Sequence, residues 1–187
     1  MSQPDASLPA GLLVPEDDGA ARHLPGMRLP DLALPSTTGG QVRLSALTAR
    51  TVVYVYPMTG RPDVPLPEDW DLIPGARGCT AEACAFRDHY AGLRTAGAGV
   101  FGLSSQTTDY QQEAVSRLHL PFPLLSDERL ELAGSLRLPT FEVQGQRLYK
   151  RLTLIVRDGV IEHVFYPVFP PDQHAEQVLT WLREHPL

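Results

Sequence analysis

The chain has 187 residues, 43% of them hydrophobic and 20% charged, with 18 prolines and 15 glycines. That length suits one domain with a core of its own, and the fractions exclude collagen, coiled coil and a wholly disordered chain. Sixteen basic against 22 acidic side chains give a formal charge of −6, which argues against a general nucleic-acid or anionic-membrane binder.

Residues 1–25 mix Pro, Ala, Gly and Asp without an apolar period. They read as an extension, either loosely ordered or draped over a domain that runs from 26 to 187. The segment has no basic leader and only a brief apolar run at Gly11–Val14, so it does not read as a secretory signal. No run approaches the length of a membrane-spanning helix. A cytoplasmic location follows as the expectation, and in a reducing compartment two cysteines need a reason other than a structural disulfide.

Short strands at 32–34 and 41–44 flank the turn signal Ser36-Thr-Thr-Gly-Gly40. The β-branched and aromatic run Thr51-Val-Val-Tyr-Val-Tyr56 stops at Pro57 and predicts a buried strand. From 58 to 78 the density of Pro, Gly and Asp predicts a long loop. Apolar spacing predicts a helix over 80–96, a strand over 99–104, and a helix from Thr108, capped in a box with Gln111, to about 118. A strand at 122–126 and a helix at 127–136 follow. Strands at 149–157 and 160–165 surround Asp158-Gly159, a strong hairpin signal, and a helix at 172–184 closes the chain. This alternation predicts an α/β domain: a central sheet covered by helices, with an antiparallel pair near its end.

Cys79 opens the predicted 80–96 helix and Cys84 follows five residues later. A helix start offers unpaired N–H groups and a positive dipole end, and Arg77 adds charge of the same sign. Those are the surroundings of a reactive, low-pKa thiol. Five helical residues separate the two Cα atoms by roughly 8 to 9 Å, whereas a disulfide needs about 7 Å or less. If the two cysteines pair, the helix start must unwind, and the bond is a switch. Taken alone, Cys84 on an apolar face reads equally as a small core residue. Cys-x4-Cys is not a usual zinc spacing and His89 and His119 read as ordinary helix histidines, so neither a metal nor another cofactor is expected. The absence of Cys-x-x-Cys argues against a general dithiol reductase.

The run Gly78-Cys-Thr-Ala-Glu-Ala-Cys-Ala-Phe-Arg-Asp88 resembles the active-site segment of the bacterioferritin-comigratory, or Q-type, peroxiredoxins. Val55-Tyr56-Pro57, Gly102-Leu-Ser-Ser105, Leu120-Pro-Phe-Pro-Leu-Leu-Ser-Asp127 and Arg151-Leu-Thr-Leu-Ile resemble further segments of that family in the right order. The likeness covers roughly residues 27–185. It implies a thioredoxin fold and thiol-dependent reduction of hydroperoxides. Cys79 would be the peroxidatic cysteine and Cys84 the resolving one, joined in an intramolecular disulfide that a thioredoxin-like reductant reopens. Arg151 would hold the thiolate and the peroxide. Resolution within one chain implies a monomer.

The family's Pro-x-x-x-Thr-x-x-Cys would put a threonine at 76, where this chain has Ala76. The extra segment 58–73 separates Pro57 from the cysteine, and Pro74 is a second claimant for the proline. Pro57, Thr59 and Gly78 are therefore the candidates for binding peroxide, the hydroxyl coming from Thr59 if the loop folds back or being absent. Trp70 and Leu72 in the insertion would form either a lid suited to organic hydroperoxides or a rigid surface excursion. Two other readings stay open: a redox sensor that passes oxidation to a partner, and a disulfide-exchange electron carrier.

Overall fold

The computed structural model describes residues 7–187. Its strands and helices are β1 (Ala33–Pro35), β2 (Gln41–Arg43), β3 (Thr51–Val55), α1 (Cys79–Asp88), α2 (Tyr90–Thr95), β4 (Gly99–Ser104), α3 (Thr108–Leu118), β5 (Leu124–Ser126), α4 (Glu131–Leu136), β6 (Thr140–Val143), β7 (Gln146–Tyr149), β8 (Leu152–Arg157), β9 (Val160–Phe165) and α5 (His174–Glu184). Five strands form a mixed sheet in the order β5-β4-β3-β8-β9. β3, β4 and β5 run parallel, and β8 and β9 are antiparallel to their neighbours.

The central strand β3 explains the layering. All five of its residues are buried, and alternation sends them to opposite faces. Val52, Tyr54 and the following Tyr56 pack with residues of α1, α3 and α5, whereas Val53 and Val55 pack with α4 and with Ala21 and Leu24 of the amino-terminal segment. Helices thus cover both faces of a mixed sheet, as the resemblance implies. Among the described residues no helix is long and apolar enough to cross a membrane.

Residues 1–6 of the extension lie outside the described residues, and residues 7–25 are draped over the domain. Asp18 anchors them, accepting from Lys150 Nζ (3.0 Å) and from the Tyr166 hydroxyl (2.8 Å).

Four local expectations change. The helix predicted over 80–96 breaks at His89 (φ −94°, ψ 0°), where ring Nδ1 and backbone N both meet the Ala85 carbonyl. The α3 cap is Thr107, not Thr108; its hydroxyl accepts from the Tyr110 N–H, and Gln111 turns inward to donate to Ser104 Oγ and the Leu125 carbonyl. The helix predicted from 127 starts at Glu131, because the Asp127 carboxylate caps it from outside by accepting from the N–H groups of Glu131 and Leu132. Finally, β6 and β7 form a hairpin that the sequence reading missed. Its turn, Gln144-Gly145, has positive φ at both residues but lacks the Asn or Asp that announces such turns.

Candidate active site

α1 starts where the long 58–78 loop returns to the sheet. Gly78 is its cap at φ 115°, and a Cβ there would lie 2.4 Å from Pro171 Cγ and 2.9 Å from Leu8 Cδ2. Only glycine combines that dihedral with so close an approach. Cys79 therefore begins the helix pressed against the turn before α5 and against the amino-terminal segment, and it is only 4% exposed.

Among the described residues one cation is hydrogen-bonded to its sulfur. Arg151 leaves the connection between β7 and β8 and donates through Nη2 to Cys79 Sγ (3.2 Å) and to the Ala76 carbonyl (3.0 Å), and through Nε to the Gly75 carbonyl (3.3 Å). Its Nη1 makes a close ion pair with Glu82, and both side chains are almost wholly buried. Glu82 lies three positions after Cys79, so helical spacing puts the two on one face. The Met58 N–H also donates to the sulfur.

Burial pushes the Cys79 thiol up; Arg151 pulls the other way, Glu82 adds to the upward push, and the Arg151 and Met58 hydrogen bonds lower it. This corrects the expectation of an accessible, low-pKa thiol, because long-range packing shields the helix start. Arg77 gives no help: its Nη1 pairs with Asp71 Oδ1 at 2.8 Å. Glu82 is pushed up to about 7 by burial, against the pull of Arg151.

The remaining sequence candidates are scattered. Cys84 faces the apolar cluster beneath the sheet's α1 side, 7% exposed, with its thiol also pushed up by burial. Both cysteines are free, and α1 is continuous between them. Pro57 is buried two residues after the end of β3. Thr59 is buried, but its hydroxyl donates to Gln106 Oε1 (3.3 Å) and is committed there. Ala76, at the family's threonine position, contributes only its carbonyl, which accepts from Arg151 and, at 3.8 Å, from the Cys79 thiol.

A cavity of about 230 Å³ lies over Cys79, walled by Leu8, Met58, Leu66 and Trp70 with Arg117 among its other lining residues. Of the two proposed lid residues, Trp70 is buried against Ala76 and Leu148, whereas Leu72 is 64% exposed and takes no part in the wall. Sequence reasoning missed Glu82, Met58 and Gln106. Glu82 left a signal, a lone carboxylate in an otherwise small and apolar stretch; a backbone N–H and a distant glutamine left none. Among the described residues no cluster of three or more His, Cys, Asp or Glu side chains is placed to hold a metal.

The family model described as Redoxin matches residues 24–179. Peroxiredoxin Bcp of Escherichia coli (strain K12) is 32% identical over 166 residues, which cover 83% of this chain and 93% of that protein. The chloroplastic peroxiredoxin Q of Oryza sativa subsp. japonica is 30% identical over 159 residues, which cover 84% of this chain; the match spans 66% of the rice protein's length. The crystal structure of the peroxidoxin BcpB from Mycobacterium tuberculosis superposes with a TM-score of 0.70 at 28% identity, over 87% of this chain and 98% of that one.

Proposed function

The chain belongs to the redoxin family, and on that premise we propose that it is a thiol-dependent peroxidase whose reacting group is Cys79. The observation that carries the proposal is the Arg151 guanidinium bonded to the Cys79 sulfur at a helix N-terminus. A fixed cation and a backbone donor favour the thiolate and stabilise charge that develops on oxygen during attack.

In the first step the Cys79 thiolate attacks one peroxide oxygen. The O–O bond breaks, the leaving oxygen departs as alcohol or water after taking a proton, and Cys79 becomes a sulfenic acid. In the second, the Cys84 thiol attacks that sulfur, water leaves, and a disulfide forms. An external dithiol, thioredoxin-like in this reading, then returns two electrons and two protons. Since α1 is continuous from Cys79 to Asp88, the second step requires its first turns to unwind. Leu8, Met58, Leu66 and Trp70 in the cavity wall offer an organic hydroperoxide apolar surface, beside the cationic side chains of Arg61, Arg77 and Arg117. Resolution within one chain needs no second subunit, so the working form in this proposal is a monomer in a cytoplasm that supplies reduced dithiol. No cofactor enters the cycle.

The test is intact-mass analysis with peptide mapping after one equivalent of hydrogen peroxide. The expected result is loss of two hydrogens, localised to a Cys79–Cys84 bridge within seconds; survival of both thiols overturns the proposal. One observation favours a second reading. The Cys79 thiol is pushed up by burial and position 76 supplies no hydroxyl, which suits a redox sensor oxidised once without recycling. Sustained peroxide consumption with a dithiol reductant decides against it.

A further inference from the structure

Beyond Val55 the β3 ladder runs out. Tyr56 N–H still donates to the Leu103 carbonyl (3.0 Å), but Pro57 has no N–H to continue the pairing. Two residues later a side chain takes over. Gln106, in the connection between β4 and α3, brings its carboxamide to the Thr59 backbone: Thr59 N–H donates to Oε1 at 3.1 Å, and Nε2 donates to the Thr59 carbonyl at 3.2 Å. A carboxamide that meets one residue through both donor and acceptor imitates a neighbouring strand.

Gln106 is itself tied down. Ser126 Oγ donates to its carbonyl, and its N–H donates to Ser104 Oγ at 3.3 Å, which Gln111 also reaches, at 2.9 Å. The clamp is therefore anchored to β4, β5 and α3. Between the two backbone attachments, at Tyr56 and Thr59, lies Met58, which lines the same cavity as Cys79 and whose backbone hydrogen bond favours the Cys79 thiolate.

We infer that Gln106 is a positioning residue of this site: its carboxamide fixes the Thr59 backbone and thereby aims the Met58 N–H at the Cys79 sulfur, a backbone donor working where Ala76 supplies no hydroxyl. The inference rests on the peroxidase reading for its consequence but not for its geometry. A fixed N–H stabilises the thiolate, and the same donor faces negative charge during attack on peroxide. Without the clamp the strand end is held on one side only, and the donor loses its aim.

The experiment measures the pH profile of Cys79 alkylation by iodoacetamide in a Cys84→Ala background, followed by the rate of its oxidation by hydrogen peroxide. Gln106→Leu, which fills the space without either polar atom, is expected to move the alkylation midpoint up by about one pH unit and to slow peroxide oxidation about tenfold, the worth of one hydrogen bond to a charged group. Gln106→Asn, which keeps the amide but shortens its reach, serves if the leucine variant does not fold, and the same upward movement is expected. An unmoved midpoint in a folded variant overturns the inference, even if the peroxide rate falls, because loop disorder alone would slow the reaction without altering thiolate stability. A moved midpoint in a protein whose parent ignores peroxide keeps the positioning role and overturns the peroxidase reading instead.

Discussion

The start and the middle of α1 carry the same residue type in opposite settings. At the first turn, Cys79 has a guanidinium at 3.2 Å, a backbone N–H on its sulfur and a carboxylate three residues on. One turn later Cys84 sits among apolar side chains, next to Phe86, which stacks on Tyr54 with ring centroids 4.5 Å apart. Burial pushes both thiols up, but only at Cys79 does a strong cation bond directly to the sulfur. Burial by itself makes a cysteine a small hydrophobe; burial against a fixed cation makes it a candidate nucleophile.

Exchanging the two cysteines in turn is expected to break the comparison most sharply. Cys79→Ser should abolish oxidation by stoichiometric peroxide. Cys84→Ser should retain one fast oxidation, seen as a trapped sulfenic acid by mass, and lose recycling by a dithiol. Full recycling by the Cys84 variant would show that the cysteine in the apolar setting has no part in the cycle.

Removing the cation should bring the first turn closer to the second. Arg151→Ala is expected to slow peroxide reaction by about 10²-fold or more and to raise the Cys79 alkylation midpoint by over one pH unit, read by stopped-flow and by alkylation against pH. The substitution also strands Glu82 in the interior, so a fall in melting temperature accompanies it.

The apolar side has a pH response of its own. His174 is 1% exposed, its ring edge-on to Phe86 and its Nε2 2.7 Å from Thr153 Oγ1, and burial lowers it to about 4. Its folded value lies below the unfolded one of about 6.5, so the unfolded chain binds the proton more readily. Stability from this group is complete above about pH 6.5 and is lost as pH falls toward 4, by up to about 3 kcal/mol. Glu82, pushed up to about 7, has the opposite sign and loses stability as pH rises from about 4.5 toward 7. Urea denaturation at pH 7 and pH 4.5 should therefore be compared between the parent and His174→Asn; the parent is expected to lose more on acidification, and equal losses would refute the assignment.

The smallest effect expected is that of Glu82→Gln, which keeps a partner for Arg151 while deleting the charge that pushes Cys79 up. The alkylation midpoint should fall by less than one pH unit. A rise would mean that Glu82 acts chiefly by holding Arg151 in place.

Most of the scaffold was legible in the chain. Thr51-Val-Val-Tyr-Val announced the central strand, Asp158-Gly159 announced the β8–β9 turn, and β4 was read to the residue, since each depends on local periodicity or turn chemistry. The cap misassigned to Thr108 and the start misplaced at 127 have one cause: a side chain that precedes the helix caps it, and the sequence pattern does not register which residue that will be. The Gln144-Gly145 turn escaped because nothing in its composition demands positive φ.

Sequence by itself determined the order of the central-sheet strands and the helices that cover them, the glycine-cysteine start of α1 and, through the cysteine segment, the family, but not the β6–β7 hairpin or the break between α1 and α2. The resemblance implied Arg151, but tertiary structure alone decided the rest of the site's electrostatics: the buried Glu82 pair, the shielding of Cys79 and the Gln106 clamp. Arg151 reaches Cys79 across 72 residues, and Gln106 reaches Thr59 across 47, so neither contact follows from local propensity. Arg77, adjacent in sequence, was the nearer candidate for the cation and is spent on Asp71. Periodicity follows from the backbone's own geometry and can be read along the chain. A thiol's charge depends on which groups, from any part of the chain, exclude water from it and which replace that water.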